Sequence, residues 1–210
     1  SGWFTEASKT RQFEKMFANF VGVKYACVVT SGTAALYVGL KALGIGNGDE
    51  VIVPDLNFVA GPNSVEAVGA KPVLIDIESS SLNIDLKKIK HAITKRTRAI
   101  MPVDFNGRGV DIKSITELAN QYNLSLIEDA AHGLGCFYDK KHVGTMSDIG
   151  IFSFSTPKII TTGQGGMIVT NNKKLYEKCK ALKDFGRKSG AKRNMRTAFE
   201  HPTIGYNFKF

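Results

Sequence analysis

The chain has 210 residues, 43% of them hydrophobic and 22% charged, which suits one sizeable α/β core or at most two small domains. No apolar run reaches the length of a membrane span, and three scattered cysteines (Cys27, Cys136 and Cys179) with no CxxC spacing argue against a disulfide framework or a zinc site. The net charge of +9 raises nucleic acid as a partner, but no aromatic-interleaved motif or recognition-helix pattern accompanies it, so no nucleic-acid partner is expected.

The opening Ser1-Gly2-Trp3-Phe4 has neither the basic nor the apolar region of a signal peptide, and no initiator Met. A cytoplasmic protein with reduced thiols, its true start removed, is the expectation. Residues 7–21 read as a helix with Phe13, Phe17 and Phe20 on one face. The first of seven short apolar runs follows at 25–29. The others are 51–53, 72–75, 99–103, 124–127, 149–154 and 166–170. Most are apolar throughout rather than alternating, as in strands covered on both faces. Helical spacing fills the gaps at 33–43, 59–68 (interrupted early by Gly61-Pro62), 85–93, 111–122 and 173–185. This alternation predicts a three-layer α/β/α sandwich with a mainly parallel seven-stranded sheet. Ligands of such sheets sit beyond the carboxyl ends of the strands.

The excess positive charge is concentrated late, in Lys173, Lys174, Lys178, Lys180, Lys183, Arg187, Lys188, Lys192, Arg193 and Arg196. It reads either as a solvated helix and a mobile basic loop, or as an attraction for an anionic ligand such as a phosphorylated cofactor or a nucleotide-linked substrate.

Four strand ends carry residues suited to chemistry. After the first strand, Ser31-Gly32-Thr33-Ala34 opens a helix on small residues. The exposed amides and hydroxyls suit a phosphate, though the same residues make an ordinary N-cap. After the second strand stands Phe58, either a ring that stacks on a planar ligand or a core aromatic. After the fifth strand come Glu128-Asp129 and His132. A carboxylate there can keep a pyridinium nitrogen protonated; the plainer roles are a helix cap for Asp129 and a satisfied core histidine for His132. After the sixth strand, Ser153-Phe154-Ser155-Thr156-Pro157-Lys158 places a lysine among small, apolar and hydroxylated neighbours. A lysine so desolvated has a lowered pKa and is a better nucleophile towards aldehydes.

These motifs, in this order, resemble the nucleotide-sugar aminotransferases of pyridoxal phosphate (PLP) fold type I, the DegT/StrS type. The resemblance covers nearly the whole chain: Ser1-Gly2-Trp3 and Phe13-Glu14 before Val21-Gly22-Val23-Lys24-Tyr25-Ala26, Ser31-Gly32-Thr33-Ala34-Ala35-Leu36, Gly48-Asp49-Glu50-Val51-Ile52-Val53-Pro54, Glu128-Asp129-Ala130-Ala131-His132, Ser153-Phe154, Lys158 and Gly205-Tyr206-Asn207-Phe208. It implies PLP as cofactor, with Lys158 as the Schiff-base lysine and the general base and acid. Gly32, Thr33, Ala34 and Ser153 are implied at the phosphate, Phe58 against the ring, Asp129 on the pyridine nitrogen and His132 in the cofactor site. Asn207 is implied to reach the phosphate of a neighbouring subunit, hence a homodimer. The implied reaction moves an amino group from a donor, glutamate, to a nucleotide-linked keto sugar in polysaccharide or amino-sugar biosynthesis. Related sugar dehydratases carry histidine in place of this lysine, so Lys158 argues for transamination.

The chain departs from the family pattern at Gln164, where Glu or Gly is common. Family members are nearly twice as long, so residues 1–210 are expected to be the PLP-binding large domain, with the C-terminal small domain missing. Two alternatives stand beside this: another fold type I PLP enzyme, which would share the sheet and the lysine, and, motivated by the missing small domain, a truncated PLP-binding protein with a regulatory or no catalytic role.

Overall fold

The computed structural model describes residues 6–187 and 200–210. The opening Ser1-Gly2-Trp3 and the basic residues Lys188, Lys192, Arg193 and Arg196 lie outside them. In chain order the elements are α1 (Ser8–Val21), β1 (Tyr25–Val29), α2 (Gly32–Leu43), β2 (Glu50–Pro54), α3 (Ala60–Ala67), β3 (Lys71–Ile75), α4 (Leu86–Ala92) and β4 (Thr97–Ile100). A single 3₁₀ turn (Phe105–Gly107) precedes α5 (Ile112–Gln121). Then come β5 (Ser125–Asp129), β6 (Phe137–Tyr138), β7 (Lys141–His142), β8 (Ile149–Ser153), β9 (Gly166–Thr170) and α6 (Lys173–Lys183).

Seven strands form one sheet in the order β1-β9-β8-β5-β4-β2-β3. β9 runs antiparallel to both its neighbours, and the other pairs are parallel. The strands divide their apolar residues between the two faces with period two. Cys27, Val29, Val51, Val53, Ile127, Ile151 and Ile168 pack with α2 and α3 and with Cys179 and Leu182 of α6. Ala26, Val28, Phe152, Met167 and Val169 pack with Phe17 of α1, while Ile52, Ile100 and Leu126 pack with α4 and α5. The sheet is therefore covered on both sides except at the edge strand β3, where Leu74 is exposed, and the expected α/β/α sandwich is the observed one.

The differences from the expected elements are local. Gly61-Pro62 does not interrupt α3, because the proline falls in the first turn, where its missing N–H costs no helical bond. β4 ends at Ile100, although Met101 N–H still donates to the Ile52 carbonyl and Val103 bridges Asp129. The β6–β7 hairpin was not expected; its turn residues Asp139 and Lys140 both adopt left-handed backbone. Phe20 is not on the buried face of α1 but exposed, its ring edge-on to His142 at 5.9 Å.

The solvated-helix reading of the basic run also fails in part. Lys183 is fully buried. Its Nζ lies 2.8 Å from Glu6 Oε1 and 3.2 Å from Glu14 Oε1, and donates to the Val28 carbonyl at 2.7 Å. Lys180 closes the same cluster from α6. This group ties α6 to α1 and β1 behind the site.

Candidate active site

A cavity of about 690 Å³ opens at the carboxyl ends of β1, β2, β4, β5 and β8. It gathers the candidates at those strand ends: Gly32, Thr33, Phe58, Asp129, His132, Ser153 and Lys158 all line it.

One end is built for an anion. Ser31 caps α2 in extended backbone, and its Oγ accepts from Ala34 N–H at 3.0 Å. The cap therefore occupies the Ala34 amide, and the Ala34 side chain is buried in the core. The Gly32 and Thr33 amides, at the open start of the helix, have no intrahelical partner and border the cavity. A β-carbon on Gly32 would lie 3.0 Å from Ser153 Cβ, and one on Gly166 would collide with the Ser31 carbonyl oxygen. Small residues thus let the start of α2, the end of β8 and the start of β9 converge. Ser153 Oγ and Ser155 Oγ, 3.4 Å apart, add two hydroxyls.

Lys158 stands on the turn after β8. Its N–H donates to the Ser155 carbonyl at 3.0 Å. The loop beyond it is stapled back on Phe154: Thr162 N–H and Thr161 Oγ1 both donate to the Phe154 carbonyl at 3.0 Å, and Phe154 N–H donates to the Gly165 carbonyl at 2.9 Å. The side chain is half-buried, and burial lowers its pKa against the opposing pull of Asp129. A smaller cavity of about 280 Å³ shares Lys158, His132 and Ser153 with the larger one.

Asp129 closes the floor. It is buried, its Oδ1 accepts from Ala131 N–H at 3.0 Å, and burial raises its pKa while Ala131 and Lys158 pull it back. His132 has a buried Nδ1 with no hydrogen-bond partner among the described residues. Burial and the Lys158 charge lower its pKa, which favours its neutral form. Phe58 is 70% exposed at the rim, which rules out the core-aromatic reading.

Asn207 does not join this cavity. It is exposed, bridges Asp184 through the backbone, and its Oδ1 accepts from Lys209 Nζ at 2.6 Å. Among the lining residues not weighed as ligands in the sequence are Asn57, Phe105 and Ser155. Asn57 Nδ2 is buried and has no hydrogen-bond partner among the described residues. The Ser-x-Ser spacing at 153 and 155 was the one available signal; nothing local marks Asn57 or Phe105. Among the described residues no His/Cys/Asp/Glu group could hold a metal ion, and no helix is long and apolar enough to cross a membrane.

A family model, the DegT/DnrJ/EryC1/StrS aminotransferase family, matches residues 1–210. GDP-perosamine synthase of Caulobacter vibrioides is 46% identical over 94% of this chain and 52% of its own length. The Vibrio cholerae enzyme of the same name is 40% identical over 100% of this chain and 56% of its own. The chain thus spans about half the length of the curated relatives it matches. Among solved structures, an aminotransferase from Psychrobacter cryohalolentis superposes with a TM-score of 0.93 at 38% identity, covering 97% of this chain and 53% of that one. Helicobacter pylori PseC, an aminotransferase of pseudoaminic acid biosynthesis, gives 0.91 at 34% identity, covering 100% and 56%. The chain belongs to the DegT/DnrJ/EryC1/StrS aminotransferase family.

Proposed function

We propose that this chain is the cofactor-holding large domain of a PLP-dependent aminotransferase that moves an amino group from glutamate to a keto sugar carried on a nucleotide. The observation that carries this reading is that one cavity holds a half-buried lysine, a buried aspartate and an anion cradle together. Relatives support both cofactor and substrate: a Bacillus subtilis neighbour is described with bound cofactor PMP, and another neighbour, DesI, with its TDP-sugar product.

The residues fit the cofactor. The cradle at Gly32, Thr33, Ser153 and Ser155 matches a phosphate, and the orphaned Asn57 Nδ2 and His132 Nδ1 are groups for polar atoms of a ligand. PLP supplies an aldehyde that takes up amines and a ring that accepts an electron pair when its nitrogen is protonated. Asp129 would hold that proton in place. Lys158 would be the amine that holds the cofactor at rest, and its lowered pKa leaves more of it unprotonated. Lys158 Nζ would also be the base and acid that moves the proton of the donor's α-carbon. Phe58 would lie against the ring.

Asn207 is exposed and does not line its own cavity, which fits a role in the partner's site and so a homodimer. Three unpaired cysteines fit a cytoplasmic protein.

Borohydride reduction followed by peptide mass mapping tests the assignment. PLP should be fixed on the peptide containing Lys158, and Lys158→Ala should abolish it. Glutamate should discharge the visible absorbance before reduction. Label on a different lysine would overturn the site.

A further inference from the structure

Behind Asp129, on the other face of β5, two carboxyl groups meet out of water. Asp104 and Glu128 are both fully buried. One oxygen of each is satisfied by an amide: Val110 N–H donates to Asp104 Oδ1 at 3.1 Å, and Gly144 N–H to Glu128 Oε1 at 2.7 Å. The second oxygens, Asp104 Oδ2 and Glu128 Oε2, are shielded from solvent and receive no well-formed hydrogen bond from a donor among the described residues. The two side chains are within hydrogen-bonding reach of each other. Ionised carboxylates only accept, so two of them here would leave bare oxygens face to face in a medium that cannot screen them. One proton between them satisfies both.

We propose that Asp104 and Glu128 share a single proton, carried on Asp104 and donated to Glu128, and that this pair positions Asp129 for the cofactor role assigned above, on which the second half of the proposal rests.

The location of the proton follows from the surroundings. Burial, the Glu128 charge and the charge of Asp129 push Asp104 well above the usual carboxylate range, with only the Val110 amide opposing. Burial also raises Glu128, but the Gly144 and Met146 amides and Ser147 favour its charged form. Glu128 and Asp129 of β5 are the titratable groups acting most strongly on Asp104; the turn at 144–147 offers Glu128 only amides and a hydroxyl.

The link to Asp129 is covalent and hydrogen-bonded. Asp129 follows Glu128, and the strand's period of two sends their side chains to opposite faces. Asp104 N–H donates to the Asp129 carbonyl at 3.1 Å, and Asp129 N–H to the Pro102 carbonyl at 2.9 Å. The pair thus pins the end of β5 to the segment carrying Val103 and Phe105, both of which line the cavity. It also leaves one negative charge behind Asp129 instead of two, so less repulsion opposes ionisation of Asp129.

Infrared spectra of the purified protein freed of cofactor test the proton. Wild type at pH 7 should show the carbonyl stretch of a protonated, buried carboxyl, and Asp104→Asn should lose it. The asparagine N–H keeps the hydrogen bond to Glu128, so this variant folds. Folding constants from urea unfolding give a second readout. Folded wild type retains a proton that the unfolded chain releases above its ordinary Asp pKa. Its stability therefore falls with rising pH relative to Asp104→Asn, whose constant should gain up to about tenfold per pH unit between roughly pH 5 and 7. A missing carbonyl band, or a ratio flat with pH, would overturn the shared proton. Adding PLP tests positioning: Asp104→Ala should bind it more weakly than wild type, with Asp104→Asn restoring affinity. Equal affinity in Ala and wild type would overturn the positioning role. A wild type that shows the band but takes up no PLP would refute the cofactor reading, and with it the positioning role, while the shared proton stands.

Discussion

Gly32 and Ser153 approach so closely that a β-carbon on the glycine would lie 3.0 Å from the serine Cβ and 3.2 Å from its Oγ. Gly32 does not have positive φ, so the constraint is space, not backbone conformation. A methyl group there forces apart the start of α2 and the end of β8, the two walls of the anion cradle. Overpacking of this kind costs about 1–3 kcal/mol. Gly32→Ala should therefore weaken PLP binding by about tenfold or more, since about 1.4 kcal/mol is a factor of ten. An absorbance titration with PLP measures it. Unchanged affinity would place the phosphate elsewhere.

Phe58 separates packing from binding. At 70% exposure it contributes little to the core, so Phe58→Ala should change folding stability by less than about 0.5 kcal/mol. If its ring covers a bound ring, the same change should cost about 0.5–1.5 kcal/mol of stacking, a two- to tenfold loss of PLP affinity. Urea unfolding without cofactor and titration with it give the two numbers. A large stability loss with unchanged affinity would reverse the assignment.

The sheet is legible because most of its strands are buried on both faces and so appear as apolar runs; the edge strand β3, with Leu74 exposed, is read from its short Val73-Leu74-Ile75 run. The β6–β7 hairpin is not legible, because its strands are two residues long and Asp139-Lys140 turns without the usual glycine. At the site, Lys158, Asp129, Thr33 and Ser153 can be picked out because each stands at or just after the carboxyl end of a strand, and the mainly parallel topology brings those ends together. Asn57 cannot, since its orphaned amide depends on packing against Gly61 in the next turn. The contact of Asp104 with Glu128 joins segments far apart in the chain, which no local pattern announces. Lys183 is misread for the same reason: a lysine in a basic helix looks solvated until α1 brings Glu6 and Glu14 over it.

That buried lysine gives a prediction with a pH signature. Burial depresses the Lys183 pKa, but Cys27, Glu14 and Glu6 more than reverse this, leaving it above its usual value. Its contribution is therefore complete below the ordinary lysine pKa and lost only as pH rises past the raised one. Glu6 is raised by burial and lowered more strongly by Lys183 and Lys180, so its net shift is downward. Its contribution is complete above the ordinary glutamate pKa and lost as pH falls through the depressed one. The cluster should thus be fully effective between about pH 5 and 10. Lys183→Met leaves the buried Glu6 and Glu14 with Lys180 as the remaining cation of the cluster and should cost up to about 3–5 kcal/mol at pH 7. The deficit should shrink towards pH 4, as Glu6 takes up a proton in the variant. Urea midpoints across this range test it; a deficit constant with pH would mean that lost packing, not charge, is responsible.

Asn207 calls for a different kind of test, because it lies outside the cavity of its own chain. Its side chain accepts from Lys209, and its backbone bridges Asp184, an attachment that alanine preserves. Asn207→Ala should therefore fold normally. If the residue completes the partner's cradle in a two-fold dimer, its loss damages the neighbouring site rather than its own. Lys158→Ala subunits lack the reacting amine but still present Asn207. Asn207→Ala subunits have the amine but meet a defective partner. Equal mixing with free exchange makes half the dimers hybrid, and each hybrid pairs one native Lys158 with one native Asn207. Activity should then rise to about a quarter of wild type from two parents that are each lower, as two-fold symmetry requires. If Asn207 acted within its own chain, no hybrid would contain a complete site, and mixing would give only the average of the two parents.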